Sequence, residues 1–286
     1  MSKSKPRGKL KQRLITALFL LPLVLGAAIY LSSVWLGVVL GIVVLAAAGE
    51  WARLSEWNKP YQQGAYVAGI ALLGVAGFWA LSRFSTTAAL LTSLTLLWWV
   101  YAFMDLFLHG SHASGLYRWR IGRLVVGVLV LVPAWLASVY LHETDPMRPA
   151  VLLFAFMLVW LADSAAYFVG KTWGRTALAP RISPGKTVEG LLAGLATVVV
   201  LAYFCGTMIW QLSGRSLILW VLWAGITTLF SVVGDLVESK IKRLAGTKDS
   251  GALLPGHGGF LDRIDSLTAA IPTFVCGWVF FLRADT

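Results

Sequence analysis

Residues Ser216–Asp265 read SLILWVLWAGITTLFSVVGDLVESKIKRLAGTKDSGALLPGHGGFLDRID, an apolar run of membrane-spanning length that passes without a break into a densely charged segment. Between Ser231 and Ser266 stand five acids (Asp235, Glu238, Asp249, Asp262, Asp265) and five bases (Lys240, Lys242, Arg243, Lys248, Arg263), although the whole chain has only 13 Asp and Glu. Carboxylates at that density suit a hard cation such as Mg²⁺, and Lys, Arg and flexible Gly between them suit phosphate oxygens. Together they point to a metal-bound polyphosphate held at the end of a membrane helix.

The apolar run is one of many. With 58% hydrophobic residues, 13% charged residues and a mean hydropathy of +0.76, the chain has too few polar side chains to cover a soluble globule. Runs able to cross a hydrocarbon core of roughly 30 Å start near Leu14, Val34, Gly64, Thr86, Arg123, Ala150, Val188, Ser216 and Ile264, which predicts an all-α, polytopic membrane protein of about nine spans. With the N-terminus placed in the cytoplasm, 20 of the 24 Lys and Arg fall on the cytoplasmic side and only Arg83, Arg148, Arg215 and Arg283 outside. The C-terminus then lies outside. Topology and anionic lipid headgroups account for the net charge of +11, so no nucleic-acid partner is implied. Lys3–Arg13 and the apolar run behind it read as an uncleaved signal anchor, because no small-x-small cleavage site follows. Cys205 and Cys276 fall inside spans and imply neither a disulfide framework nor a zinc site.

No long linker or fixed-period repeat divides residues 1–286, so one transmembrane domain is expected. Residues 1–149 read mainly as scaffold, with Gly37 and Gly41, like Gly190 and Gly194 later, spaced for close helix packing. Residues 150–286 carry the chemistry, with cytoplasmic loops at about 171–187 and 235–263. Asp163 lies about seven residues before Lys171, hence ~10 Å of helix inside the interface. An acid at that depth is a candidate for function. In RTALAPRISPGKTVEG (175–190), Ser183 before Pro184 reads as a helix N-cap, with Lys186 and Thr187 beside free backbone N–H groups, an anion-binding arrangement. Gly185, Lys186 and Thr187 resemble the end of a P-loop. The match fails, because Pro180 occupies the position of the required first glycine and no strand is expected before it. On the next span Asp235, Glu238, Ser239 and Lys242 share one helix face, and Asp262, Asp265 and Ser266 repeat the spacing, so two helix ends can present carboxylates to each other. His257, between glycines, reads as a phosphate donor.

The ordered set Ser239, Lys242, Arg243, Lys248, Asp249, Gly251, Pro255, His257, Gly258, Gly259, Asp262, Arg263 and Asp265 resembles the signature of phosphatidate cytidylyltransferases, and SPGKTVEG resembles that family's upstream segment. The resemblance implies transfer of a cytidylyl group from CTP to phosphatidic acid with Mg²⁺, at the cytoplasmic face of the bacterial inner membrane. It implies Asp235, Asp262 and Asp265 as metal ligands, and Lys248, Asp249 and His257 as further catalytic residues. Substrate phosphates would be held through Lys186, Lys242, Arg243 and Arg263, with Ser183, Thr187, Ser239, Gly258 and Gly259 shaping the site. It leaves room for a second cation and for a homodimer. Two other readings stay open on the residues alone, a CTP-using polyprenol or phytol kinase and a membrane transporter.

Overall fold

A computed structural model describes residues 22–84, 86–145, 147, 149–253 and 258–282. The described part is helical apart from one small hairpin. Residues 22–30 form α1, followed by α2 (Ser33–Leu54), α3 (Pro60–Arg83), α4 (Thr87–His109), α5 (Arg120–Thr144), α6 (Ala150–Trp173), α7 (Val188–Met208), α8 (Gly214–Leu244) and α9 (Leu261–Gly277). A π-helical turn, Trp278–Leu282, continues α9. Seven of these helices, α2 to α8, are long and apolar enough to cross a membrane. Each starts within four residues of the run read from the sequence. The first expected span begins outside the described residues and its later part is α1, and the ninth corresponds to α9 and its π turn.

Local signals set several boundaries. Pro60 opens α3 where its missing N–H costs nothing, and Gln62 accepts from the Lys59 N–H at 3.3 Å. Asp145 caps α6 by accepting from Met147 N and Val151 N, both at 2.8 Å. In the core, Gly41 of α2 and Gly74 of α3 leave room for the Trp135 ring of α5, whose Nε1 donates to Gly37 O at 2.8 Å. A Cβ at Gly190 or Gly194 would press on the Ala166 or Ala162 carbonyl, so α6 and α7 meet backbone to backbone, as their spacing predicts.

Four connections, 55–59, 110–119, 174–187 and the described part of the fourth, 245–253 and 258–260, gather at one end of the bundle. Glu56 joins the first to the start of α5 through Arg120 at 2.6 Å and Arg123 at 3.0 Å. Arg243 Nε donates to Ile182 O at 3.2 Å and ties the third to α8. Lys240, fully buried on α8, meets Asp105 of α4 at 2.6 Å and Ser114 at 3.2 Å over the Tyr117 ring. Of the 16 described Lys and Arg, 14 belong to this end, the asymmetry that the sequence reading attached to one side of a membrane.

Three expectations need correction. Ser183 is not a helix cap. Residues Ala177–Ala179 (β1) and Ser183–Thr187 (β2) pair antiparallel, and α7 begins only at Val188 with Thr187 as its N-cap. Ser-Pro suits a strand of a two-stranded ribbon as well as a helix start, because an edge tolerates the missing Pro184 N–H. A strand therefore does precede Gly185, though as half of a hairpin. Third, α8 remains helical to Leu244, so the loop expected from about 235 starts only at Ala245, while Asp235, Glu238, Ser239 and Lys242 stand on a helix as their spacing predicts.

Candidate active site

The helix α8 brings Asp235 and Glu238 onto one face, and α9 packs its first turns against them. Gly234 makes this approach possible, since a Cβ there would lie 2.6 Å from Asp265 O. As a result Asp235, Glu238 and Asp265 each offer an oxygen within 4.8 Å of the others. Three carboxylates at that separation repel strongly in an environment poor in water. Glu238 Oε1 is buried without a hydrogen-bond partner among the described residues. The donor set is all oxygen, compact and anionic, and fits a hard divalent cation.

A cavity of about 330 Å³ opens beside this cluster, lined among others by Asp163, Tyr167, Lys186, Thr187, Asp235 and Asp265. The hairpin delivers Lys186, whose Nζ lies 2.6 Å from Asp235 Oδ2. Enclosure alone pulls the Lys186 ammonium down, but Asp235, with Asp163 and Asp265 beyond it, outweighs that and holds its pKa above the ordinary lysine value. Thr187 anchors the hairpin to α7, its Oγ1 accepting from Gly190 N at 3.1 Å. Glu189 in the first turn of α7 accepts from Thr176 N at 3.1 Å and closes the other strand.

Asp262 also lines the cavity, yet its carboxylate is occupied differently from the three clustered acids. Oδ1 takes Lys242 at 2.7 Å, and Oδ2 takes Ser250 N at 3.0 Å, Ser250 Oγ at 2.9 Å and Gly259 N at 2.8 Å. Lys242 bridges to Glu238 at 2.6 Å, so the ammonium neutralises both acids at once. The structure thus groups Glu238, rather than Asp262, with Asp235 and Asp265. Spacing puts Glu238 on the acidic face of α8 but does not say which acids of α9 it meets, so its place beside Asp235 and Asp265 appears only in the structure.

The other expected residues divide by position. Ser239 donates to Asp235 Oδ1 at 3.2 Å. Arg243 is spent on the backbone, bonding Ile182 O and, at 3.1 Å, Thr247 O. Gly258, at φ +80°, adopts a conformation that favours glycine and lets Gly259 aim its N–H at Asp262. Lys248, Asp249 and Arg263 are exposed near the loop and do not line the cavity. Ser183 pairs with Ala179 in the hairpin, away from the acids. His257 lies outside the described residues.

The sequence reading missed Glu50. This residue of α2 is fully buried and accepts from Ser250 Oγ at 3.0 Å, Phe260 N at 3.1 Å and Leu261 N at 2.9 Å. The half of the chain read as scaffold therefore reaches the reaction loop. The signal was present, since an acid inside AAAGEWARL is as anomalous in an apolar span as Asp163.

Comparison with known proteins agrees with the signature. The profile of the cytidylyltransferase family matches residues 11–281. A protein of Pseudomonas aeruginosa named phosphatidate cytidylyltransferase is 43% identical over 274 residues, covering 94% of this chain and 98% of that one. One of the same name from Haemophilus influenzae is 34% identical across 96% of this chain and all of its own length. A Staphylococcus aureus protein, again so named, is 45% identical over 139 residues, 46% of this chain and 50% of its own. With a matching profile over nearly its whole length, and relatives aligned end to end, the chain belongs to the cytidylyltransferase family.

Proposed function

We propose that the protein transfers the cytidylyl group of CTP to phosphatidic acid, giving CDP-diacylglycerol and pyrophosphate for phospholipid synthesis. The observation that carries this reading is a cluster of three carboxylates, two of which line a cavity with Lys186, at the base-rich end of a membrane bundle. An oxygen of the lipid phosphate attacks the α-phosphorus of CTP, and the bond from that phosphorus to the pyrophosphate oxygen breaks. The lipid phosphate is already an anion, so the site needs no activated serine or cysteine and no strong base. Positioning and charge neutralisation can supply the catalysis.

Asp235, Glu238 and Asp265 would hold Mg²⁺, which when bound neutralises phosphate oxygens around the reacting phosphorus. Lys186, now paired with Asp235, is the cation placed to take a phosphate oxygen from the hairpin side. Lys242 bridges Glu238 and Asp262 and compensates their charge. The exposed Lys248 and Arg263 stand where the soluble nucleotide would approach. The base-rich end is assigned to the cytoplasm, where CTP is made, and the membrane to the bacterial inner membrane.

The test is product identification. Purified full-length protein is incubated with phosphatidic acid, Mg²⁺ and each nucleoside triphosphate in turn. Nucleotide-linked lipid should form with CTP and not with ATP, GTP or UTP. Formation with another nucleotide, and none with CTP, contradicts the reading.

A further inference from the structure

We propose that Glu50 is a positioning residue for this reaction, a remote cap that fixes the loop and the first turn of α9 around Asp262; its activity readout rests on the function proposed above. Glu50 lies 210 residues before Phe260 in sequence, on a different helix from every acid of the cluster. Helix α9 starts without a capping side chain of its own. Its opening N–H groups need acceptors, and burial denies them water. Glu50 supplies both. Oε1 accepts from Phe260 N and Oε2 from Leu261 N, so a single carboxylate sets where the helix begins.

The same carboxylate sets the loop. Ser250 Oγ stands between Glu50 Oε2 at 3.0 Å and Asp262 Oδ2 at 2.9 Å, with one proton to give, so the two acids are linked through one hydroxyl. Gly251 and Gly259 pack directly on Glu50. A Cβ at Gly251 would lie 2.6 Å from Oε1, and one at Gly259 would collide with both oxygens. Glycine at these two places is thereby explained by the approach of a carboxylate from the far half of the chain. Among the described residues Glu50 has these neutral donors and no ion-pair partner. Its contacts go to the segment that carries Lys248, Asp249 and Asp262, which is what a positioning role requires.

Glu50→Gln is the direct test. The amide must turn its NH₂ toward at least one of three donors, so the cap fails without loss of volume. In the full-length protein, kcat should fall roughly 10–100-fold, the range for residues that orient a metal site from behind. The KM for CTP should change little, and amide exchange should rise at Phe260, Leu261 and residues 245–253 while α2 to α7 keep their protection. Ser250→Ala, which removes the shared hydroxyl alone, should give a smaller loss in the same direction. The two losses should combine less than additively in the double variant. Raised exchange at Phe260 and Leu261 with kcat within twofold of the wild type overturns the proposal. So does exchange raised across the whole bundle, which assigns Glu50 to stability. If Glu50→Gln does not fold, Ser250→Ala decides: unchanged kcat overturns the proposal. A wild-type protein that makes no CDP-diacylglycerol would instead overturn the function, while the exchange pattern still tests the cap.

Discussion

Asp265→Asn is expected to slow cytidylyl transfer by roughly 10²–10³-fold, the range for loss of one electrostatic contact at a reacting centre. The melting temperature of the metal-free protein should stay the same or rise. The two halves of this expectation have one cause. Asp235, Glu238 and Asp265 hold oxygens within 4.8 Å of one another, and Lys186 and Lys242 offset part of their charge. Removing one negative charge relieves repulsion in the metal-free state but weakens the site for the cation that the reaction needs. The shape is preserved, so a packing defect is not introduced. Activity assayed across Mg²⁺ concentrations and unfolding followed without metal would check both. Near-normal turnover at limiting Mg²⁺, or a lower melting temperature, would remove Asp265 from the metal site.

Asp105→Ala should instead destabilise the fold, by about 3–5 kcal/mol, because it strands a buried ammonium. Lys240 has no exposure, and Asp105 at 2.6 Å is its counter-charge. Ser114 donates to the same carboxylate at 2.6 Å, and His109 approaches it at 3.2 Å, so one residue ties α4, the 110–119 connection and α8 together. The Tyr117 face, 4.6 Å from the ammonium, offsets only part of the charge. Asp105→Leu combined with Lys240→Met should recover most of the loss, since a buried pair can often be replaced by apolar side chains once both charges go. Unfolding in detergent measures both variants. A single variant as stable as the wild type would show that Lys240 finds another partner.

How legible this was from sequence depends on the range of the interaction. Apolar runs declare spans through composition alone, and α2 to α8 begin where those runs do. The i, i+3, i+4 spacing likewise placed Asp235 with Glu238 and Asp262 with Asp265, because helix geometry is local. Which acids meet across helices was not local. Lys242 pairs with Glu238 one turn back and also with Asp262, 20 residues on, while Glu238 still faces Asp235 and Asp265. Glu50 and Lys240 were harder still, with partners 211 and 135 residues away. Ser183 was misread for a different reason. Ser-Pro satisfies two local rules, and the pairing of Ala177 with Thr187 chose between them.

If the α-phosphorus of CTP is the reacting centre, label on that phosphate follows the transfer itself. With phosphatidic acid and Mg²⁺, the label should pass into the lipid fraction, pyrophosphate should appear in equal amount, and withholding Mg²⁺ should stop both. Label that stays in soluble CDP, while an unlabelled phosphate appears on a lipid alcohol, would contradict the account and identify a kinase.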